Sequence, residues 1–162
     1  MRIAVSACLL GETCRYDGRS KPCARVQELV ALGHELVPIC PEVAGGLPTP
    51  RTPCEIVQAP WMESGKARMA DEHSWTILDA NGTDRTAAYA RGAQAELARA
   101  KEAGCKLAIL KAKSPSCGSG EVYDGTFSGT LVPGWGIAAA TFRDAGITVI
   151  DETADFSCLS RV

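Results

Sequence analysis

The chain has 162 residues, and no apolar run in it approaches the roughly 20 residues needed to span a membrane. It opens on a strand-like pattern and not on a basic-then-apolar leader. The expectation is a cytoplasmic protein with no membrane partner. Without an export signal, its eight cysteines do not read as a secreted disulfide scaffold. Neither of the two histidines belongs to a cysteine motif, and there is no Cys-x2-Cys pair of the kind a zinc ribbon uses. Glycine-rich stretches such as Gly118-Ser119-Gly120 do not open a helix in the dinucleotide-binding pattern, and no Walker lysine accompanies them. ATP and NAD chemistry are therefore not assigned. A net charge of −2 supplies no broad field for phosphates, so no stable nucleic-acid binding is expected. Internal repeats and low-complexity tracts are absent as well.

What is present is enough apolar residue, 46%, to build one core, and residues 1–162 are read as one α/β domain. Three apolar runs, at residues 3–5, 35–39 and 106–110, read as buried parallel strands, and a fourth follows at 147–150. Between the first two, Pro22 opens a helix over residues 23–32, which Gly33 closes. A long alanine-rich helix is expected at 85–103, capped by Thr83 or Asp84, and a last one at 134–145. Residues 40–51 hold too much glycine and proline for a regular element. Residues 55–79 read as a small irregular or β insertion with extended pieces at 55–57, 67–69 and 76–79, and residues 113–130 as a loop. The architecture this implies is a Rossmann-like three-layer domain with a mainly parallel sheet.

In such sheets ligands bind beyond the carboxyl ends of the strands. Each of the first three runs delivers a cysteine just past its end: Cys8, Cys40 and Cys117. Parallel strands would bring these three to one edge. In a reducing compartment, clustered cysteines point to metal or redox chemistry. Spacing alone leaves open an iron–sulfur cluster, zinc, or a cysteine nucleophile. An iron–sulfur cluster held by only three thiolates would leave one iron open, a Lewis acid with a preference for sulfur. Cys14 stands in the first loop and is a possible fourth ligand. Cys23, Cys54, Cys105 and Cys158 lack a partner motif and read as small buried hydrophobes.

Glu42, two residues past Cys40, is a candidate general base on water. Ser114 and, less strongly, Ser116 could donate to a substrate or relay a proton. Arg15 and Asp17 are candidate substrate-binding residues that could equally pair with each other. Lys111 and Lys113 flank the third site. A thiol-based enzyme would need a base, and His34 and His73 stand far from these loops in sequence.

The segments Val5-Ser6-Ala7-Cys8-Leu9-Leu10-Gly11 and Cys14-Arg15-Tyr16-Asp17-Gly18, then Cys40-Pro41-Glu42, Gly45-Gly46-Leu47-Pro48-Thr49-Pro50-Arg51 and Lys113-Ser114-Pro115-Ser116-Cys117-Gly118, resemble the DUF523 family of thiouracil desulfidases. The resemblance runs over about residues 3–150, and Cys54 is one departure from the expected pattern. It implies the short stand-alone form of the family, a [4Fe-4S] cluster on Cys8, Cys40 and Cys117, and Glu42 with Ser114 as the acid/base pair. The implied reaction removes sulfur from a thiolated pyrimidine, 2- or 4-thiouracil or 4-thio-UMP, giving the oxo base and sulfide. The contrasting expectation is a zinc or iron–sulfur binding module that senses or delivers metal or sulfur without turnover.

Overall fold

The computed structural model describes residues 1–57 and 75–159. Four short apolar strands pair in parallel in the order β2 (Glu35–Ile39), β1 (Arg2–Ser6), β5 (Leu107–Leu110), β8 (Thr148–Asp151). β1 is the pivot. The chain steps from β1 to β2 on one side and later returns to place β5 on the other. The switch point of the sheet therefore lies between β1 and β5, where open α/β sheets place their ligands.

Alternation along the strands builds the two faces. Ile3, Val5, Leu107 and Ile109 pack with Val26, Leu29, Phe156 and Leu159. Ala4, Ala108 and Leu110 pack instead with Leu97, Ala100, Ala139 and Phe142. These last come from two helices, α3 (Thr86–Glu102) and α4 (Ile137–Asp144). Alanine at positions 4 and 108 lets that helical layer approach closely. The three-layer α/β architecture expected from the sequence is present.

Several elements depart from expectation. The helix expected at 23–32 is one α-turn, α1 (Ala24–Gln27), followed by a 3-10 turn at Glu28–Val30. Residues 40–51 contain a short helix, α2 (Pro41–Ala44), with Pro41 at its first position, where the missing N–H costs nothing. The β insertion is an antiparallel pair, β3 (Cys54–Ile56) with β4 (Ile77–Asp79). The extended piece expected at 67–69 and His73 lie outside the described residues. The segment read as a loop, 113–130, contains a hairpin strand instead: β6 (Ser119–Tyr123) pairs with β7 (Leu131–Trp135). Val122 anchors it, fully buried against Ile56 and Ile77. Because β7 extends through Trp135, α4 starts at Ile137 and not at 134. Asp84 does serve the start of α3, accepting the Thr86 N–H at 2.8 Å. No described helix is long and apolar enough to cross a membrane.

The seat of α2 matters most for function, since it carries Glu42. α2 lies on α3 with backbone touching backbone. A β-carbon at Gly92 would come 1.7 Å from the Pro41 carbonyl oxygen, and one at Gly45 would come 2.0 Å from that of Ala88. Only glycine allows this approach. Gly92→Ala is expected to destabilise the fold by about 3 kcal/mol through overpacking, read as a lowered midpoint in denaturant unfolding.

Candidate functional site

The carboxyl ends of β1, β2 and β5 release three loops toward the same edge. β1 runs into a 3-10 turn, Ala7–Leu10, in which Cys8 is buried. β2 ends at Ile39, and Cys40 follows as the residue that starts α2. After β5 the chain turns through Ser114-Pro115-Ser116 to buried Cys117. Glu96 on α3, itself buried, accepts the Cys40 N–H at 3.0 Å and is held by Arg99 at 2.7 Å. That bond fixes the Cys40 backbone from the helical layer.

The thiols interact. Cys14 lies within hydrogen-bonding range of both Cys8 and Cys40. Its hydrogen bond with Cys40 favours the thiolate but is outweighed by that with Cys8 and by burial, and its pKa rises to about 11. The Cys40 thiol is pushed up further, by its bond to Cys14 and then by burial. Burial first of all pushes Cys117 up to about 12, against a hydrogen bond from Ser6 that lowers it. Such thiols stay protonated at neutral pH unless a cation replaces the protons, which is what a metal group does when it binds. Among the described residues, no three His, Cys, Asp or Glu side chains converge tightly enough to hold a single metal ion. A polynuclear cluster attaches each thiolate to a different iron, so its ligands need not meet at one point. The donor set fits an iron–sulfur cluster on those grounds.

Beside these thiols opens a cavity of about 470 Å³, within the ~300–1,000 Å³ typical of small-molecule sites. Glu42 and Ser114 line it, with Arg15, Tyr16, Arg51, Lys111, Lys113 and Tyr89. The four cysteines named above do not. Glu42 is held at both oxygens: Arg51 Nε donates to Oε2 at 2.6 Å and Ser116 Oγ to Oε1 at 2.7 Å. Arg51 also donates to the Cys14 carbonyl at 2.9 Å and the Pro48 carbonyl at 3.1 Å. Ser114 Oγ accepts the N–H groups of Ser116 and Cys117 at 3.1 and 3.2 Å, as a turn serine does. Ser116 has committed its only proton to Glu42. The 3.1 Å contact between the two hydroxyls is thus Ser114 donating to Ser116. The result is a proton path from cavity-lining Ser114 through Ser116 to Glu42.

The structure therefore assembles some sequence candidates and repositions others. Ser116 is 2% exposed and is not among the lining residues, so it stands between the two catalytic candidates and not against a ligand. Arg15 lines the cavity, Asp17 does not, and the two pair loosely at 3.6 Å. Lys111 is engaged by Glu152, whereas Lys113 is exposed and has no ion pair among the described residues. Cys54 and Cys105 are buried, but Cys158 is exposed, contrary to expectation. His34 is buried at the opposite end of β2 from Cys40, too far along the strand to serve as a base for the thiols. Sequence reasoning missed the role of Arg51. It had flagged the glycine- and proline-rich segment, but no local pattern says that the arginine folds back onto Glu42.

Two outcomes follow. In metal-free protein at pH 8, alkylation followed by mass spectrometry should label exposed Cys158 first and Cys117 last. Arg51→Ala strips a pair whose side chains are only 6% and 12% exposed and should cost about 3–5 kcal/mol in denaturant unfolding.

A family model described as 2-thiouracil desulfurase matches residues 3–154. An uncharacterised protein of Bacillus subtilis (strain 168), YbbK, is 42% identical over 150 residues, 93% of this chain and 95% of that protein. A solved structure, that of the [4Fe-4S]-dependent thiouracil desulfidase TudS (DUF523Vcz), superposes with a TM-score of 0.77 at 41% identity, covering 94% of this chain and 91% of that one. With the match running over nearly its whole length, the chain belongs to the 2-thiouracil desulfurase family.

Proposed function

We propose that this protein is a [4Fe-4S]-dependent desulfidase that hydrolyses the carbon–sulfur bond of a thiolated uracil compound, giving the oxo base and hydrogen sulfide. The observation that carries the reading is the joint placement of a carboxylate with its own proton path and a group of four buried or half-buried thiols at one switch point of the sheet. A module that only binds metal or sulfur has no use for the Ser114–Ser116–Glu42 path.

Cys8, Cys40 and Cys117 are assigned as the cluster ligands, with Cys14 packed among them. When bound, the cluster supplies a Lewis acid with affinity for sulfur, which polarises a thiocarbonyl. The protein does the rest. Glu42, held in one orientation by Arg51 and Ser116, accepts a proton from the attacking water. Arg51 occupies Oε2 with two of its nitrogens, whereas Oε1 keeps a free lone pair for this after the hydrogen bond from Ser116 is counted. Ser114 stands at the cavity end of the path, its proton directed to Ser116, and relays a proton between the cavity and Glu42. The net change is one water consumed and one hydrogen sulfide released, with no change of oxidation state. Arg15 and Lys113 place positive charge at the cavity wall and would suit the phosphate of 4-thio-UMP. A free thiouracil needs neither.

The test is anaerobic purification with iron and acid-labile sulfide analysis, followed by sulfide release from 2-thiouracil, 4-thiouracil and 4-thio-UMP. Glu42→Ala should retain the iron and the visible spectrum yet lose roughly 10²–10⁴-fold in kcat. Cys40→Ser should lose the cluster itself. An active, iron-loaded Glu42→Ala protein would overturn the role of Glu42. Stable iron with no sulfide release from any of the three compounds would favour the binding module.

A further inference from the structure

The hairpin of β6 and β7 ends in a tight tip, residues 124–130, and the tip is pinned to β3 by a single carboxylate. Glu55 is only 8% exposed, and its Oε2 accepts the N–H groups of Gly125 and Phe127 at 2.9 and 3.0 Å. It has no ion pair among the described residues. The tip is pressed hard against the strand: a β-carbon on Gly125 would fall 2.7 Å from the Ile56 carbonyl oxygen and 2.8 Å from the Val57 α-carbon.

The product of this anchoring is Phe127. Its φ of +57° is a left-handed conformation, an outlier for a bulky side chain. The ring is not buried in return: it is 39% exposed and lines the cavity. The other exposed aromatic side chain among the described residues is Tyr16, and it lines the same cavity. A strained backbone, a buried carboxylate and a ring left in water all act against stability. Strain of this kind persists where it serves a site.

We infer that Phe127 is the face on which the planar ring of the substrate stacks, and that Glu55 is a positioning residue that holds it there. The identity of the ring, a pyrimidine, rests on the desulfidase reading. The stacking does not require turnover. Phe127 meets the ring; Glu55 also lines the cavity, and the role assigned to it is to hold the backbone of the tip through its two accepted N–H groups. An aromatic platform discriminates by planarity: it favours a conjugated pyrimidine over its puckered 5,6-dihydro analogue.

The test is calorimetric binding of uracil and 5,6-dihydrouracil to anaerobic holoprotein. Wild type should bind uracil the more tightly. Phe127→Ala should weaken uracil about tenfold and leave dihydrouracil within twofold, while Phe127→Trp keeps the preference. Glu55→Ala, with the acceptor gone, should mimic Phe127→Ala, and Glu55→Gln, with an acceptor oxygen kept, should retain most of the affinity. In turnover of 2-thiouracil the Phe127→Ala defect should fall on KM and not on kcat. Equal loss for both ligands would show a merely structural tip and overturn the inference. So would unchanged uracil affinity in Phe127→Ala, or no uracil binding by wild type. Failure of sulfide release alone would instead count against the desulfidase reading and leave the binding result standing.

Discussion

The site depends on one buried ion pair. Arg51 and Glu42 meet with little water around them, and each is tied onward. Arg51 reaches the carbonyls of Cys14 and Pro48, and Glu42 takes the hydroxyl proton of Ser116. Through these bonds the loops after β1, β2 and β5 are joined at their tips. Burying two charges is costly, and it is compensated only when the geometry is good and the remaining donors and acceptors are satisfied. Here both conditions hold. The pair is therefore better understood as a device for registering three loops than as a source of net stability.

The same logic governs the thiols. A group of protonated cysteines in an apolar setting is stable but chemically inert. It becomes reactive only when a cation enters and displaces protons, so on the proposed reading assembly of the site and completion of the fold at this edge are coupled. The helical layer contributes to both. α3 receives α2 through Gly92 and fixes Cys40 through Glu96, so a single long helix sets the position of the proposed base and of one proposed ligand.

The fold was largely legible because its strands are short, apolar and separated by clear punctuation. A strand buried on both faces announces itself by composition. What escaped were elements held by tertiary contact alone. The β6–β7 hairpin is rich in glycine, serine and threonine and has weak strand propensity; it exists because Val122 finds a buried seat against Ile56 and Ile77. The single helical turn after Cys40 likewise exists because Gly92 of α3 lets its backbone come close. At the site, the residues bearing obvious chemistry, Cys8, Cys40, Cys117, Glu42 and Ser114, could be named from sequence. Their supports, Arg51, Glu96 and Glu55, could not, since each acts on a partner remote in the chain or through a loop that has no local signature.

The sequence by itself determined the parallel sheet and, through it, the delivery of three cysteines to one edge. That follows from local hydrophobic pattern, which depends on residues within a few positions of one another. Only the tertiary structure decided which hydroxyl faces Glu42, which arginine orients it, and which aromatic ring stands at the cavity wall. Those outcomes depend on distances between residues tens of positions apart, and such distances are settled by packing, where a single β-carbon at Gly45, Gly92 or Gly125 is enough to prevent the arrangement.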